Sequence, residues 1–127
     1  MSQGFFPPPS KPKVIGIVGS RRRATDADQL LLMGEFTKIF NPGDRLVSGG
    51  CPTGGDAYAE WIAKKKGLTI TIHYPNWDAG KHAGFERNSK IAEDCDILLA
   101  LVASDRTGGT EDTIEKTKAL GKKVIIL

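Results

Sequence analysis

The stretch ILLALVASDRTGGTEDT, residues 97–113, decides the fold. Residues 97–103 form a continuous apolar run, which is typical of a strand buried on both faces of a parallel sheet. A polar loop follows, and Thr110 with two acidic residues after it is a typical helix start. A buried strand followed directly by a helix indicates half of a β–α–β unit, so the same alternation is expected in the rest of the chain.

The alternation continues on both sides of this stretch. Further strands are predicted over residues 14–18, 45–48, 68–73 and 123–127, and further helices over about 26–40, 56–66 and 85–94. The apolar positions of the first helix are Leu30, Met33, Phe36, Ile39 and Phe40. Alternating strands and helices pair in parallel through right-handed crossovers. We predict an α/β fold: a single Rossmann-like domain whose five-stranded parallel sheet, in the order 3-2-1-4-5, is flanked by helices.

Length and composition fit one small globular domain. The chain has 127 residues, of which 39% are hydrophobic and 26% are charged. We divide it into a proline-rich N-terminal arm, residues 1–12, and a domain over residues 13–127. No apolar run reaches the ~18 residues of a membrane span, and the start has no signal-peptide pattern, so we expect a cytoplasmic protein without a membrane partner. Cys51 and Cys95 have no metal-site spacing and are interpreted as buried thiols, and no metal or cofactor is predicted.

The net charge of +3 fits an anionic small ligand. Ligands of doubly wound sheets bind beyond the carboxyl ends of the strands, where the strand order reverses. That rule selects the loops after the first and fourth strands. In the first loop, Gly19 allows a tight turn, Ser20 offers a hydroxyl and Arg21 offers a planar donor fork for phosphate. Arg22 and Arg23 are interpreted as a solvated basic turn.

The loop after the second strand is unusually rich in glycine. Ser48 is followed by Gly49 and Gly50, and Gly54 precedes Asp56. Glycines at this density allow backbone amides to approach a ligand closely, as in phosphate-binding loops. Two interpretations of Asp56 stay open, since it could cap the next helix or accept a hydrogen bond from a ribose hydroxyl. The loop has no Lys-Ser/Thr pair and is not a Walker motif.

Three further segments bring cations, an amide and glycines to the same edge. Trp77 lies near Lys81 in the loop after the third strand, where it could stack on a base or pack under its own loop. Arg87 and Asn88 lie at the start of the third helix, where Arg87 can bind phosphate. After the fourth strand, two glycines and a capping threonine form a second anion-binding loop, followed by two acids. These residues are Gly108, Gly109, Thr110, Glu111 and Asp112.

Together these motifs resemble the SLOG superfamily, and within it the small branch related to YspA and YpsA. The resemblance covers about residues 13–127. It rests on the GSR after the first strand, VSGGCPTGGDAYAEWIAKKKG, the loop from Trp77 to Gly84, Arg87-Asn88, and GGTED after the fourth strand. It implies a Rossmann-like domain that binds a nucleotide or nucleotide derivative, often as a dimer or larger. Some members are expected to be ligand sensors, and others, the LOG enzymes, are phosphoribohydrolases.

The LOG enzymes use an arginine in an ERK segment and a glutamate in a PGGxGTxxE loop. Glu86-Arg87-Asn88 matches the first segment with Asn in place of Lys. In the second, Thr113 stands at the glutamate position, and the nearest acids are Glu111 and Asp112. We therefore expect a nucleotide sensor or binding module. The alternative is a phosphoribohydrolase that cleaves the N-glycosidic bond of a nucleoside 5′-monophosphate with Arg87 and either acid.

Besides the small ligand, the sequence bears on two macromolecular partners, namely nucleic acid and further copies of the chain. DNA binding is suggested by the resemblance to DprA-like proteins, but the chain lacks an extended basic face, so we do not expect nucleic acid as a partner. The last predicted strand has no helix after it in this sequence, which leaves one flank of the sheet without a cover. We therefore expect a homodimer or a larger homo-oligomer.

Overall fold

The computed structural model describes residues 11–127 and contains one five-stranded parallel sheet. The strand order is β3-β2-β1-β4-β5, which confirms the predicted fold class and topology. The strands are β1 Val14–Gly19, β2 Arg45–Ser48, β3 Ile70–Ile72, β4 Ile97–Leu101 and β5 Lys123–Ile126. The helices are α1 Asp26–Ile39, α2 Gly55–Lys66, α3 Ala83–Asp94 and α4 Gly109–Ala119, with a short 3-10 helix over Trp77–Ala79.

Two hydrophobic cores lie on opposite faces of the sheet. On one face, α1 and α2 pack on Ile15 and Ile17 of β1 and on their neighbours in β2 and β4. On the other face, α3 and α4 pack on Val18 and on alternate residues of β4, including Leu98. All five residues of β4 are buried, as expected for a central strand covered on both faces.

The order of the strands fixes the position of a ligand crevice. β1 is followed along the chain by β2 on one side, and it pairs with β4 on the other. The chain therefore leaves the carboxyl ends of these two neighbouring strands in opposite directions. Such a switch point opens a gap between the two loops, and open α/β sheets bind ligands there.

Two local predictions are wrong. Leu30 is 69% exposed, whereas Leu32 and Phe36 form the buried side of α1. The run of three leucines offers several possible inward positions, and only packing on the sheet selects one of them. The third strand extends over Ile70–Ile72 rather than residues 68–73, because it is an edge strand that pairs only with Leu46–Ser48 of the short β2.

The strands and helices of the structure lie between residues 14 and 126, and the predicted domain bounds, residues 13–127, stay a prediction. The predicted proline-rich arm, residues 1–12, lies outside the described residues except for its last two. Within residues 11–127, no helix combines the length and the apolar character that a membrane crossing requires.

Candidate functional site

A cavity of about 430 Å³, here called the anion cavity, opens at the carboxyl edge of the sheet. Its wall combines the end of β1 and the following loop, the start of α2, the first turns of α3 and the start of α4. The volume suits a small organic ligand. Nine predicted site residues contribute to the wall: Gly19, Ser20, Arg21, Asp56, Arg87, Asn88, Gly108, Gly109 and Thr110. Thr113, at the position of the LOG glutamate, contributes as well, although it was not predicted as a site residue.

Arg87 is the best-positioned cation of this wall. Its Nη1 donates to the carbonyl oxygen of Gly49 at 2.5 Å, and its Nε donates to Oδ1 of Asn88 at 2.9 Å. Asn88 in turn donates from Nδ2 to the carboxylate of Asp112 at 3.1 Å and to the carbonyl oxygen of Gly109 at 3.3 Å. Among the described residues no hydrogen bond involves Nη2 of Arg87, so that nitrogen is available to a ligand.

The start of α4 contributes backbone amides. Gly108 occupies the N-cap position, and no side chain caps the helix. The prediction that Thr110 is the cap is therefore wrong: it lies inside the first turn, is buried and contributes to the wall. Because the first amides of a helix have no intrahelical acceptor and lie at the positive end of its dipole, an uncapped start in a cavity wall favours an anion.

Asp56 places a carboxylate in the same wall. It is only 6% exposed, and its Oδ2 accepts a hydrogen bond from the amide of Cys51 at 3.1 Å. The N-cap of α2 is Gly54 and has no side-chain cap, so the capping interpretation of Asp56 is wrong. Burial raises the pKa of Asp56 above its ordinary value, although the Cys51 amide and the charge of Arg87 act in the opposite direction. Its role as a ribose acceptor stays a prediction.

The two acids proposed for catalysis are engaged away from the cavity. Both carboxylate oxygens of Glu111 accept from the guanidinium of Arg106 at 2.9 Å. Asp112 forms an ion pair with Lys116 at 2.7 Å and also accepts from Asn88. Neither acid contributes to the wall, whereas the buried side chain of Thr113 does.

The loop after β2 also differs from its predicted role, because Ser48, Gly49, Gly50 and Gly54 lie outside the cavity wall. Ser48 is buried and donates to the carbonyl oxygen of Ile17 at 2.5 Å. A Cβ at Gly49 would lie 2.7 Å from Nη1 of Arg87, and one at Gly50 would overlap the ring of Tyr74. The glycines therefore allow close packing of this loop against its neighbours, and their predicted role in binding a ligand stays a prediction.

The basic turn after β1 is tied to the rest of the fold. Arg22 forms two hydrogen bonds with Asp105, at 2.8 and 2.9 Å, and a third with the hydroxyl of Thr107. These bonds from Arg22 and Thr107 hold the pKa of Asp105 well below its usual range. Arg23 donates from Nη1 to the carbonyl oxygens of Val102 and Leu127. The interpretation as a solvated turn is therefore wrong, although Arg22 remains about half exposed.

Trp77 and Lys81 lie beside the anion cavity rather than in it. They contribute to a second, shallower cavity of about 230 Å³, together with Gly84 and Phe85. This cavity shares three residues with the first, namely Arg87, Asn88 and Gly109. Trp77 is 61% exposed, so it does not pack under its own loop.

Several wall residues were missed from the sequence. Cys51 was interpreted as a buried thiol, but only Cys95 is buried, and Cys51 contributes to the wall. Arg22, Thr107 and Ile91 were not predicted either. Ile91 follows Arg87 by four residues, so helical spacing was a usable signal for it. No spacing rule indicated Cys51.

Comparisons of the chain with protein-family models, with curated proteins and with solved structures find no significant match. Within residues 11–127, no group of three or more His, Cys, Asp or Glu side chains could hold a metal ion.

Proposed function

We propose that this chain binds a phosphate-bearing nucleotide or nucleotide derivative in the anion cavity and acts as a sensor or binding module. The observation that carries the proposal is the arrangement of Arg87. Its guanidinium is held by Gly49 and Asn88 in the same wall as the uncapped start of α4, with Nη2 left for a ligand. Membership of the SLOG superfamily, in the branch related to YspA, is part of the same proposal.

Electrostatics and hydrogen-bonding capacity support a phosphate as the anion. A guanidinium donates two parallel hydrogen bonds to tetrahedral or planar oxyanions, and a helix start adds amide donors from a second direction. Arg21 and Arg22 add cationic side chains to the wall. Ser20 and Asp56 supply the hydroxyl and carboxylate groups that ribose hydroxyls use as partners.

Binding without hydrolysis is favoured by the position of the acids. Cleavage of an N-glycosidic bond needs a carboxylate close to the ribosyl cation that develops in the transition state. Glu111 and Asp112 are paired with Arg106 and Lys116 outside the wall. Asp56 is the one carboxylate among residues 11–127 that contributes to the wall. If the alternative phosphoribohydrolase activity exists, it therefore depends on Asp56.

A thermal-shift screen against nucleoside monophosphates, NAD, ADP-ribose and cyclic dinucleotides comes first, because a bound ligand raises the apparent stability of the protein. Calorimetric titration with nucleoside monophosphates then measures the affinity. We expect Arg87→Ala to weaken binding about 10- to 150-fold, because a charge-assisted hydrogen bond contributes about 1.5–3 kcal/mol. Arg45→Ala is the matched control, since it removes the same charge from the opposite edge of the sheet. Equal affinities of the two variants would refute the proposal.

The same preparations distinguish the two functions. Wild-type protein incubated for hours with AMP should release no adenine, and Glu111→Gln and Asp112→Asn should bind AMP nearly as well as wild type. Steady release of base would instead establish the phosphoribohydrolase, and Asp56→Asn would then be the variant expected to stop it.

A further inference from the structure

The second cavity exposes aromatic surface directly beside the anion cavity. Trp77 is 61% exposed and Phe85 is 52% exposed, although burial of a large aromatic side chain lowers the free energy of the protein. Together with Gly84 and Lys81 they surround a volume of about 230 Å³. We call the surface formed by Trp77, Gly84 and Phe85 the aromatic shelf.

The shelf is held in place by contacts of its own backbone and neighbours. Trp77 begins the short 3-10 helix Trp77–Ala79, and its carbonyl oxygen accepts from the amide of Gly80 at 3.1 Å. A Cβ at Gly84 would lie 3.4 Å from Cη2 of Trp77, so the indole packs against the start of α3. Nζ of Lys116 donates to the carbonyl oxygen of Phe85 and lies 5.4 Å from its ring centroid. These contacts position two aromatic rings that remain largely in solvent.

The shelf and the anion cavity adjoin each other. Arg87, Asn88 and Gly109 contribute to the walls of both cavities, so a ligand whose phosphate contacts Arg87 lies next to the shelf. A phosphate or a sugar phosphate alone would leave the shelf in water. A nucleotide carries a flat aromatic base that is separated from its phosphate by one sugar. Any of the bases can stack on an aromatic side chain.

We infer that the two cavities hold one ligand, with its phosphate at Arg87 and its aromatic base on the shelf of Trp77 and Phe85. The inference rests on the proposed function and adds to it a separate subsite for the base. The protein selects molecules that contain a base, such as nucleoside monophosphates or the nucleotide end of a larger derivative. Sugar phosphates and inorganic phosphate occupy only half of the site.

Titration of AMP, GMP, CMP and UMP against ribose 5-phosphate tests this inference. The best nucleotide should bind about 5- to 150-fold more tightly than ribose 5-phosphate, which is the range expected for one stacked base. Trp77→Ala and Phe85→Leu should each reduce that advantage and leave the affinity for ribose 5-phosphate unchanged. Tyr74→Ala is the control, because Tyr74 is also an exposed aromatic residue but belongs to neither cavity.

A spectroscopic measurement locates the base independently. The chain has two tryptophans, so Trp61→Phe leaves Trp77 as the single indole fluorophore. In that variant a bound nucleotide should quench the emission, and ribose 5-phosphate should not.

The possible failures are distinguishable. Equal affinity for nucleotides and ribose 5-phosphate, without quenching, would overturn the inference and leave the proposed function standing. An equal loss of both affinities in Trp77→Ala would also overturn it, as would a fall in oligomer mass in that variant, which would make the shelf a contact between copies. Absence of binding by every phosphate ligand would refute the proposed function itself.

Discussion

Replacing Gly54 by alanine separates a packing role of the glycine-rich loop from a ligand-binding role. Gly54 has φ +79° and ψ −151°, a conformation that side-chain-bearing residues rarely adopt and that costs about 1–3 kcal/mol. A Cβ there would also overlap the carbonyl oxygen of Ser20 and would lie 3.0 Å from its carbonyl carbon. Relieving such an overlap adds about 1–3 kcal/mol. We therefore expect Gly54→Ala to lower the free energy of unfolding by about 2–6 kcal/mol.

Gly80→Ala is the matched control. Gly80 has φ +107° and ψ −177°, so its backbone cost is similar, but a Cβ there would have no atom within 4 Å. In a domain of this size 1 kcal/mol corresponds to a change in Tm of about 3–5 °C. Calorimetry should therefore give a Tm about 3–15 °C lower for Gly54→Ala than for Gly80→Ala. Equal Tm values would refute the packing argument and return the loop to the candidate ligand-binding segments.

Two further predictions concern protonation and assembly. The pKa of Asp56 is raised in the folded chain, so the folded state binds this proton more tightly than the unfolded state does. The contribution of Asp56 to the free energy of unfolding therefore increases as the pH falls through the folded pKa towards the ordinary value near 4. The carboxylates with a lowered pKa, Asp28, Asp44 and Asp105, lose stabilisation over the same acid range, so Asp56 offsets part of their effect. In urea denaturation at several pH values, the unfolding free energy of Asp56→Asn should therefore fall more steeply with acidification than that of wild type, and parallel profiles would contradict this. We also propose a homodimer or larger assembly, which fits the exposure of Leu30, Leu120 and Ile126. Light scattering at high micromolar concentration should give at least twice the chain mass, and a monomeric mass would exclude it.

The sequence by itself determined the architecture and the edge at which the site lies. Apolar runs and helical spacing identified five strands and four helices, and right-handed crossovers allowed a sheet order that the structure confirms. Parallel strands bring their carboxyl ends to one edge, so the segments that follow β1, β3 and β4 were expected at that edge. For this reason Ser20, Arg87 and the segment Gly108–Thr110 could be assigned to one cavity before any coordinates were considered.

Only the tertiary structure decided which side chains of that edge face the cavity. On α4, burial of Thr110, Thr113, Ile114 and Thr117 fixes the rotation of the helix. Successive helical residues point about 100° apart, so this rotation turns Thr113 inward and leaves its neighbour Asp112 for Lys116. Three of the four buried residues are threonines, and apolar periodicity therefore gave no signal for this rotation.

The same limit applies to the pairing of charges and the packing of loops. Arg22 and Asp105 are 83 positions apart, and they meet because β1 and β4 are neighbours in the sheet. The glycines after β2 are needed because Ser20, Tyr74 and Arg87 come within contact distance of that loop. A local sequence pattern reports what a segment is able to do, whereas the distance between remote segments selects what it does. The sequence therefore determined the edge, and the packing of the helices and loops determined the contents of the site.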